Sequence, residues 1–226
     1  MGKISIIIPV LNEASIIQKT ISKLQKQLEI EIIVVDGGSQ DNTIALAQNL
    51  GVKVIRSPQA GRANQMNFGA SLATGDILLF LHVDTCLPHG YLALVTKALS
   101  NSKTVAGAFE LAIDSPQKSL RFLETIINLR SRFLSLPYGD QAFFLKASVF
   151  QEINGFADLP IMEDFEFIQR LKKKGEISIV PAKVITSGRR WQKLGVVKTT
   201  IINQLIILGY YLGVSPQKLA RWYGRK

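Results

Sequence analysis

The chain has 226 residues, 47% of them hydrophobic and 19% charged, which suits a single domain with a substantial core and excludes a disordered chain. Its one cysteine, Cys86, excludes an internal disulfide framework and fits a cytoplasmic setting. The apolar run from Ile4 to Ile8 is too short for a secretory signal and leads straight into a helix-start pattern. The net charge of +10 is unevenly placed. From Ile177 to Lys226 there is no Asp or Glu, whereas Lys183, Arg189, Arg190, Lys193, Lys198, Lys218, Arg221, Arg225 and Lys226 all lie there. Such a tail suits anionic lipid, nucleic acid or a phosphate-bearing substrate. A solvated face would carry the same charges.

The run Ser5-Ile6-Ile7-Ile8-Pro9-Val10-Leu11-Asn12-Glu13 is β-branched and ends in polar residues, as does Glu31-Ile32-Ile33-Val34-Val35-Asp36-Gly37-Gly38-Ser39. Between them Ile17, Ile21, Leu24 and Leu28 recur at helical spacing. The segment therefore predicts a strand–helix–strand unit with a parallel crossover. Strands are expected near 3–9, 31–35, 52–56 and 76–81, with helices near 14–28, 42–49, 62–72 and 89–100. That rhythm implies α/β: a Rossmann-like, mainly parallel sheet with helices on both faces. Thr104 to Leu111 then reads as a strand, and Pro116 to Leu134 as a helix carrying Leu120, Leu123, Ile127 and Phe133. A loop at Pro137-Tyr138-Gly139-Asp140 precedes a strand near 142–145 and a helix near 163–174 with Phe165, Ile168 and Leu171 on one face. Short strands are expected near 177–180 and 184–187.

After Gly195 the pattern changes. Val196 to Val214 is apolar nearly all round, with Thr199, Thr200, Asn203 and Gln204 as its polar members. Crossing a bilayer takes about 20 apolar residues, so this is a poor spanning segment. Its basic flanks and Tyr210, Tyr211, Trp222 and Tyr223 suit an element lying in a membrane interface. A helix packed on the protein itself or in a homodimer contact is the competing expectation.

In an open parallel sheet, ligands bind beyond the carboxyl ends of the strands. Asn12-Glu13, Asp36 and Asp84 are therefore delivered to one rim. No G-x-G-x-x-G or G-x-x-x-x-G-K follows the first strand, which weighs against two common nucleotide loops. Asp36 either accepts hydrogen bonds from a base or ribose or closes an Asx-turn before Gly37-Gly38-Ser39. Asp84 ends a buried strand, where a hard cation bridging a diphosphate needs one or two carboxylates. His82 points to the same side by strand alternation, as a ligand or as a hydrogen-bonded structural histidine. Glu163-Asp164 opens a helix, either complementing its dipole or offering a general base. Arg189-Arg190-Trp191 supplies forked donors for phosphate oxygens, although a surface basic pair looks the same.

The order of these motifs resembles glycosyltransferase family 2, the inverting nucleotide-sugar transferases with the GT-A fold, over residues 3 to 191. The resemblance rests on Ile8-Pro9-Val10-Leu11-Asn12-Glu13, on Val35-Asp36-Gly37-Gly38-Ser39 with Asp41 and Thr43, on Gly61-Arg62-Ala63 through Asn67, on Gly75-Asp76 leading to Asp84, and on Glu163-Asp164. It implies that Pro9, Asn12, Glu13, Asp36, Gly38 and Arg62 serve the nucleotide, with Arg189 and Arg190 on the diphosphate. It implies Mg²⁺ or Mn²⁺ on Asp84, with His82 beside it, and Asp164 as the base that deprotonates the acceptor. The usual D-x-D stands here as His82-Val83-Asp84, and Arg190-Trp191 lacks the Gln of the processive Q-x-x-R-W pattern. Single-sugar transfer is therefore expected.

With Gly139-Asp140-Gln141 and Met162-Glu163-Asp164-Phe165-Glu166-Phe167, the chain also looks like a small bacterial subgroup often named as carotenoid-acid (4,4'-diaponeurosporenoate-like) glycosyltransferases. The expected organisation is a transferase domain over 1–192 and a basic, apolar helical element over 193–226. Expected partners are a UDP-sugar or GDP-sugar donor, an acceptor that is lipid-soluble if the tail meets a membrane, and the anionic inner face of that membrane, but no nucleic acid. Two alternatives stand beside this reading: a sugar nucleotidyltransferase, and a catalytically silent, membrane-associated nucleotide-sugar-binding protein.

Overall fold

The computed structural model describes residues 2–24 and 29–224. The expected helix position Leu28 and the basic residues Arg225 and Lys226 lie outside the described residues. The first half alternates as expected: β1 (Ile4–Val10), α1 (Ile17–Leu24), β2 (Ile30–Asp36), α2 (Thr43–Gln48), β3 (Lys53–Arg56), α3 (Arg62–Ser71) and β4 (Ile77–Phe80). A short β5 (Thr85–Cys86), α4 (Tyr91–Leu99), β6 (Thr104–Asp114) and α5 (Lys118–Leu134) come next. A 3-10 turn at Gly139–Gln141 leads into β7 (Phe143–Lys146), α6 (Ala147–Glu152), α7 (Glu163–Lys172) and β8 (Glu176–Ser187). Three helices follow: α8 (Arg189–Leu194), α9 (Val196–Tyr211) and α10 (Pro216–Tyr223).

The strands form one sheet in the order β3-β2-β1-β4-β7-β6-β8-β5. The first four of these are mutually parallel, β7 runs against both neighbours, and β6 and β8 are parallel again. Strand alternation divides the core between the two faces. Ile4, Ile6, Ile8 and Val10 meet Ile17, Ile21 and Leu24 of α1, together with Val95 and Leu99 of α4. Ile7, Ile33 and Val35 meet Met66, Phe150 and Phe167 on the other side. Both faces are covered, which is why these strands read as unbroken apolar runs.

Two expectations need correction. The short strands near 177–180 and 184–187 are one strand, β8, with a bulge. Phe109 pairs with Val180 and Glu110 with Lys183, so Pro181 and Ala182 are the extra residues. Proline cannot donate to a ladder, and a bulge absorbs it without ending the strand.

The second correction concerns α5. Phe133, grouped in the sequence with Leu120, Leu123 and Ile127, is 80% exposed, and Phe122, Ile126 and Leu129 are exposed with it. Leu120 is buried as expected, with Leu123 and Ile127 packed partly buried against the core, but the rest of the buried side of α5 carries Glu124, Asn128 and Ser131. The sheet explains these buried polar residues. β6 pairs with β7 only at Ala106 and Gly107, leaving the edge of its second half without a strand. Side chains take that place at alternate residues. Gln141 Nε2 donates to the Phe109 carbonyl (2.8 Å). Asn128 accepts from the Leu111 amide (2.8 Å) and donates to its carbonyl (2.9 Å). Glu124 accepts from the Ile113 amide (2.5 Å). Buried backbone groups require partners, and here they outweigh apolar burial in setting the rotation of the helix.

Candidate active site

At the carboxyl ends of β1 and β2 the two opening motifs grip each other. Asn12, left-handed at φ 55°, donates its amide to Ser39 Oγ (2.9 Å) and accepts from the Gln40 amide (2.8 Å). Asparagine tolerates that conformation better than most residues. The Glu13 amide donates to Thr43 Oγ1 (2.8 Å), and the Ala14 amide to Asp41 (3.2 Å). Asp36 is fully buried, and its carboxylate accepts from the amides of Gly38 (2.8 Å) and Ser39 (3.1 Å). It therefore closes the Asx-turn in which Gly38 takes φ 104°. From α3, Gln65 Nε2 donates to both Val10 and Val35 carbonyls. Asn67 exchanges two hydrogen bonds with the backbone of Phe156, and Asp76 accepts from the Lys3 amide at the opposite end of β4 from Asp84. Much of the motif set thus builds the rim itself.

The remaining charged residues face a cavity of about 410 Å³. Arg62, His82, Asp84, Glu163, Asp164 and Arg190 line it; Pro9, Asn12, Glu13, Asp36, Gly38 and Arg189 do not. The second group adjoins through Arg189, whose guanidinium lies 3.4 Å from Glu13 and 3.3 Å from Asp84. Arg62 sits 3.6 Å from the buried Glu163. Asp164 is held at both oxygens: Oδ2 accepts from the Gly139 amide (2.8 Å) and Oδ1 from the Phe165 amide (2.7 Å). A Cβ at Gly139 would lie 3.1 Å from His82 Nε2 and 3.2 Å from Asp164 Oδ2, so the glycine keeps the space between those two side chains open.

Several lining residues were not singled out by the sequence. Arg130, with Leu123 and Ile127, forms the α5 wall, and Arg130 lies 3.5 Å over the ring of Tyr138. The spacing 123, 127, 130 is a helical stripe and was the available signal. A further part of the wall comes from α9 through Thr200, Asn203 and Ile207. That helix is anchored by Ile206, which clusters with Ile161, Met162, Phe165 and Leu219.

Electrostatics follow from burial and neighbours. Desolvation raises the Glu13 carboxyl above its usual range, opposed by Arg189 and reinforced by Asp84. Partial burial lowers the Arg189 guanidinium, but Glu13 and Asp84 outweigh it and hold the value above normal. Burial lowers Arg130, with Tyr138, Asp140 and Asp164 opposing. Asp140 is pushed up to about 6 by burial, against Arg130 and with help from Asp164 and Asp84. Its folded value lies above the unfolded one, so the folded state binds the proton more tightly. Stability from this group is present at low pH and falls as pH rises through about 4 to 6. Asp140→Asn is expected to flatten that fall and to stabilise the protein at pH 8 by on the order of 2 kcal/mol. Thermal unfolding of both proteins at pH 5 and pH 8 checks this; equal differences at the two pH values would contradict it.

Among the described residues, no group of three or more His, Cys, Asp and Glu side chains could hold a metal ion. A diphosphate-bridging Mg²⁺ or Mn²⁺ takes one or two carboxylates and completes its shell with phosphate oxygens and water. Asp84, which among the described residues pairs with Arg189 at 3.3 Å, fits an ion that arrives with a nucleotide.

Known proteins give this geometry a family. The model described as glycosyl transferase family 2 matches residues 5–154. A Mycobacterium tuberculosis protein described as an uncharacterized glycosyltransferase is 31% identical over 179 residues, covering 74% of this chain and 68% of its own length. A PGL/p-HBAD biosynthesis glycosyltransferase of Mycobacterium tuberculosis is 41% identical over 91 residues. That match spans 37% of this chain and 36% of the relative, and a Rickettsia felis glycosyltransferase is matched over 29% of its length. The fold is shared with the Pyrobaculum calidifontis mannosyltransferase PcManGT in complex with GDP-Man and Mn²⁺ (TM-score 0.67, 19% identity, covering 82% of this chain and 56% of that one). It is shared equally with S. aureus TarS in complex with UDP (TM-score 0.67, 18% identity, 82% and 60%). The sheet is thus the GT-A arrangement. This chain belongs to glycosyl transferase family 2.

Proposed function

We propose that the protein is an inverting, divalent-metal-dependent glycosyltransferase that moves one sugar from a nucleotide-sugar to an acceptor bound in the cavity. The observation that carries this reading is the placement of Asp164 and Asp84 on one cavity, with Arg189 joining Asp84 to Glu13 at the rim. The nucleotides named with the two structural neighbours support a UDP- or GDP-sugar. The nucleoside end lies at the Pro9, Asn12 and Gly38 loops, with Asp36 acting through the turn it closes. Arg62, held by Glu163 at the edge of the cavity, belongs with the donor. Asp164 takes the proton of an acceptor hydroxyl as its oxygen bonds to the anomeric carbon opposite the departing diphosphate. The two amides on its oxygens fix its direction of approach. Mg²⁺ or Mn²⁺ at Asp84, with His82 beside it, would neutralise charge developing on the diphosphate. Residues 1–192 carry this chemistry, and within the element 193–226 the helix α9 together with Tyr223 and Gly224 lines the cavity. An acceptor carboxylate, as the carotenoid-acid subgroup name suggests, would need no base.

Thermal unfolding with UDP, GDP and their sugars, with and without Mn²⁺, tests the reading. A ligand at 100 times its dissociation constant adds about 2.7 kcal/mol. Metal-enhanced stabilisation together with slow donor hydrolysis is expected. Binding without hydrolysis or transfer would instead favour the silent-binding alternative, and no nucleotide effect at all would reject both.

A second observation favours a membrane-facing acceptor. Phe122, Ile126, Leu129 and Phe133 on α5, and Val197, Ile201, Leu205, Leu208 and Leu212 on or just beyond α9, are exposed stripes at helical spacing. They belong to the two helices that wall the cavity, and the last 50 residues contain no acid. No helix among the described residues is long and apolar enough to cross a membrane. Basic residues near an anionic surface contribute about 1 kcal/mol each, so this surface suits reversible contact with anionic lipid. Flotation with anionic vesicles should show salt-sensitive binding that Leu205→Glu and Leu208→Glu abolish. Failure to float, with a dimer that the same substitutions dissociate, would assign the stripes to a second copy.

A further inference from the structure

Asp164 takes one of its two amides from its own helix and the other from outside it. The Phe165 amide is its neighbour in α7. The Gly139 amide, 2.8 Å from Oδ2, belongs to the 3-10 turn Gly139–Gln141 between α5 and β7. Whatever holds this turn therefore helps to hold the carboxylate. Gly139 contributes backbone alone, and a Cβ there would lie 3.2 Å from Asp164 Oδ2.

Gln141 fixes the turn from the other end. Its side chain is fully buried. Nε2 donates to the Phe109 carbonyl of β6 (2.8 Å), and Oε1 accepts from the Tyr138 amide (3.1 Å), with the Ser131 hydroxyl of α5 2.9 Å away. Its own amide donates to the Tyr138 carbonyl (2.9 Å) and closes the turn. A carbonyl facing the nitrogen and an amide facing the oxygen leave one orientation for the side chain. A glutamine that only satisfied the edge of β6 would stop at Phe109. This one also reaches the residue that precedes Gly139, so it links the sheet to the amide on Asp164.

The backbone on either side of that contact is strained. Ala142, directly after the turn, has φ 51°, and Met162, two residues before Asp164, has φ 69°. Residues other than glycine keep such conformations where their surroundings over-determine them, and such places cluster at functional sites. For the turn, the three contacts of the Gln141 side chain supply that constraint.

We propose that Gln141 is a positioning residue for Asp164: by tying the Gly139–Gln141 turn to β6 it keeps the Gly139 amide on the carboxylate and so sets the direction in which Asp164 meets the acceptor. Its effect on turnover rests on the reading of Asp164 as the base; the tether itself does not. Gln141 touches no substrate and exchanges no proton.

A double-mutant cycle tests this. Release of UDP from UDP-glucose, or of GDP from GDP-mannose, with Mn²⁺ gives kcat and KM for the wild type, Gln141→Met, Asp164→Asn and the double variant. Gln141→Met should lower kcat by about tenfold or more, since a displacement of about 1 Å at a reacting group can cost 10²-fold. KM and nucleotide affinity should stay within a few fold. With Asp164→Asn already in place, the same substitution should cost less than about twofold, because the two residues act as one unit. An equal loss in both backgrounds, or a nucleotide affinity that falls with kcat, would make Gln141 a general structural residue and overturn the proposal. Hydrogen exchange at the Gly139 amide reads the tether without turnover, and Gln141→Met should speed it about tenfold or more. Unchanged protection would overturn the proposal. A protein that turns over no donor, or an Asp164→Asn variant with near-normal turnover, would remove the base reading, and the exchange result would then decide the tether alone. If Gln141→Met does not fold, Gln141→Asn replaces it: one methylene shorter, it cannot span from the Phe109 carbonyl to the Tyr138 amide and must show the same coupling.

Discussion

Replacing Asp164 by Asn should lower turnover by about 10²–10⁴, the usual contribution of a positioned general base, and leave donor affinity within a few fold. The substitution is nearly isosteric. Its carbonyl oxygen can still accept from the Gly139 amide that now donates to Oδ2 at 2.8 Å, so the 3-10 turn keeps its anchor. The amide nitrogen cannot take a proton. Steady-state transfer kinetics and nucleotide binding on the same protein separate the two effects. Near-normal turnover would move the base to Asp140, or show that the acceptor arrives ionised. A parallel collapse of nucleotide affinity would make Asp164 a structural part of the donor pocket.

Asp84→Asn should abolish the metal-dependent part of UDP or GDP stabilisation while the metal-independent part survives. Asp84 is the acid that follows the buried β4, and it pairs with Arg189 at 3.3 Å. The amide would keep the shape and lose the charge that a hard cation requires. Because Arg189 retains Glu13 at 3.4 Å, the loop keeps one of its two tethers. His82→Ala should cost less, about 10–100-fold in metal-dependent affinity if the imidazole supports rather than holds the ion. Thermal shifts over a Mn²⁺ series give both numbers. An Asp84→Asn protein with an unchanged Mn²⁺ response would take this residue out of the site.

The parts of the fold that were legible are those where one force dominates. β1, β2 and β4 are covered on both faces, so apolar runs and their polar ends marked them well. The rim was legible for the same reason, because Asn12, Asp36 and Asp84 all stand where a buried run stops. What Asp36 does there was legible as one of two alternatives. Its buried carboxylate spends its hydrogen bonds on Gly38 and Ser39, a local choice that the Asx-turn alternative described and that a ligand-based reading passes over. β8 was divided because proline usually ends a strand, whereas this one sits in a bulge. The α5 wall was hidden more deeply. The spacing of Leu123, Ile127 and Arg130 marked it, but the backbone groups of β6 that Asn128 and Glu124 satisfy left no trace in that periodicity. Arg130 was not singled out, although Tyr138 and Leu136 hold it at the cavity.

The two walls of the cavity are fastened by different means. Helix α5 is hooked to successive alternate residues of one strand by Asn128 and Glu124, with Arg132 paired to Glu110 beyond them. A slip by one position would unfasten every hook together, so this wall behaves as fixed masonry. Helix α9 rests on Ile206 among Ile161, Met162, Phe165 and Leu219, greasy contacts that tolerate small displacements better than directional bonds do. Tolerance for bulkier or longer guests should accordingly respond to changes at Asn203, Ile206 and Ile207. Trimming Leu123 or Ile127 should enlarge the space without loosening it. The cavity is built like a vice with one fixed jaw, α5, and one that yields, α9.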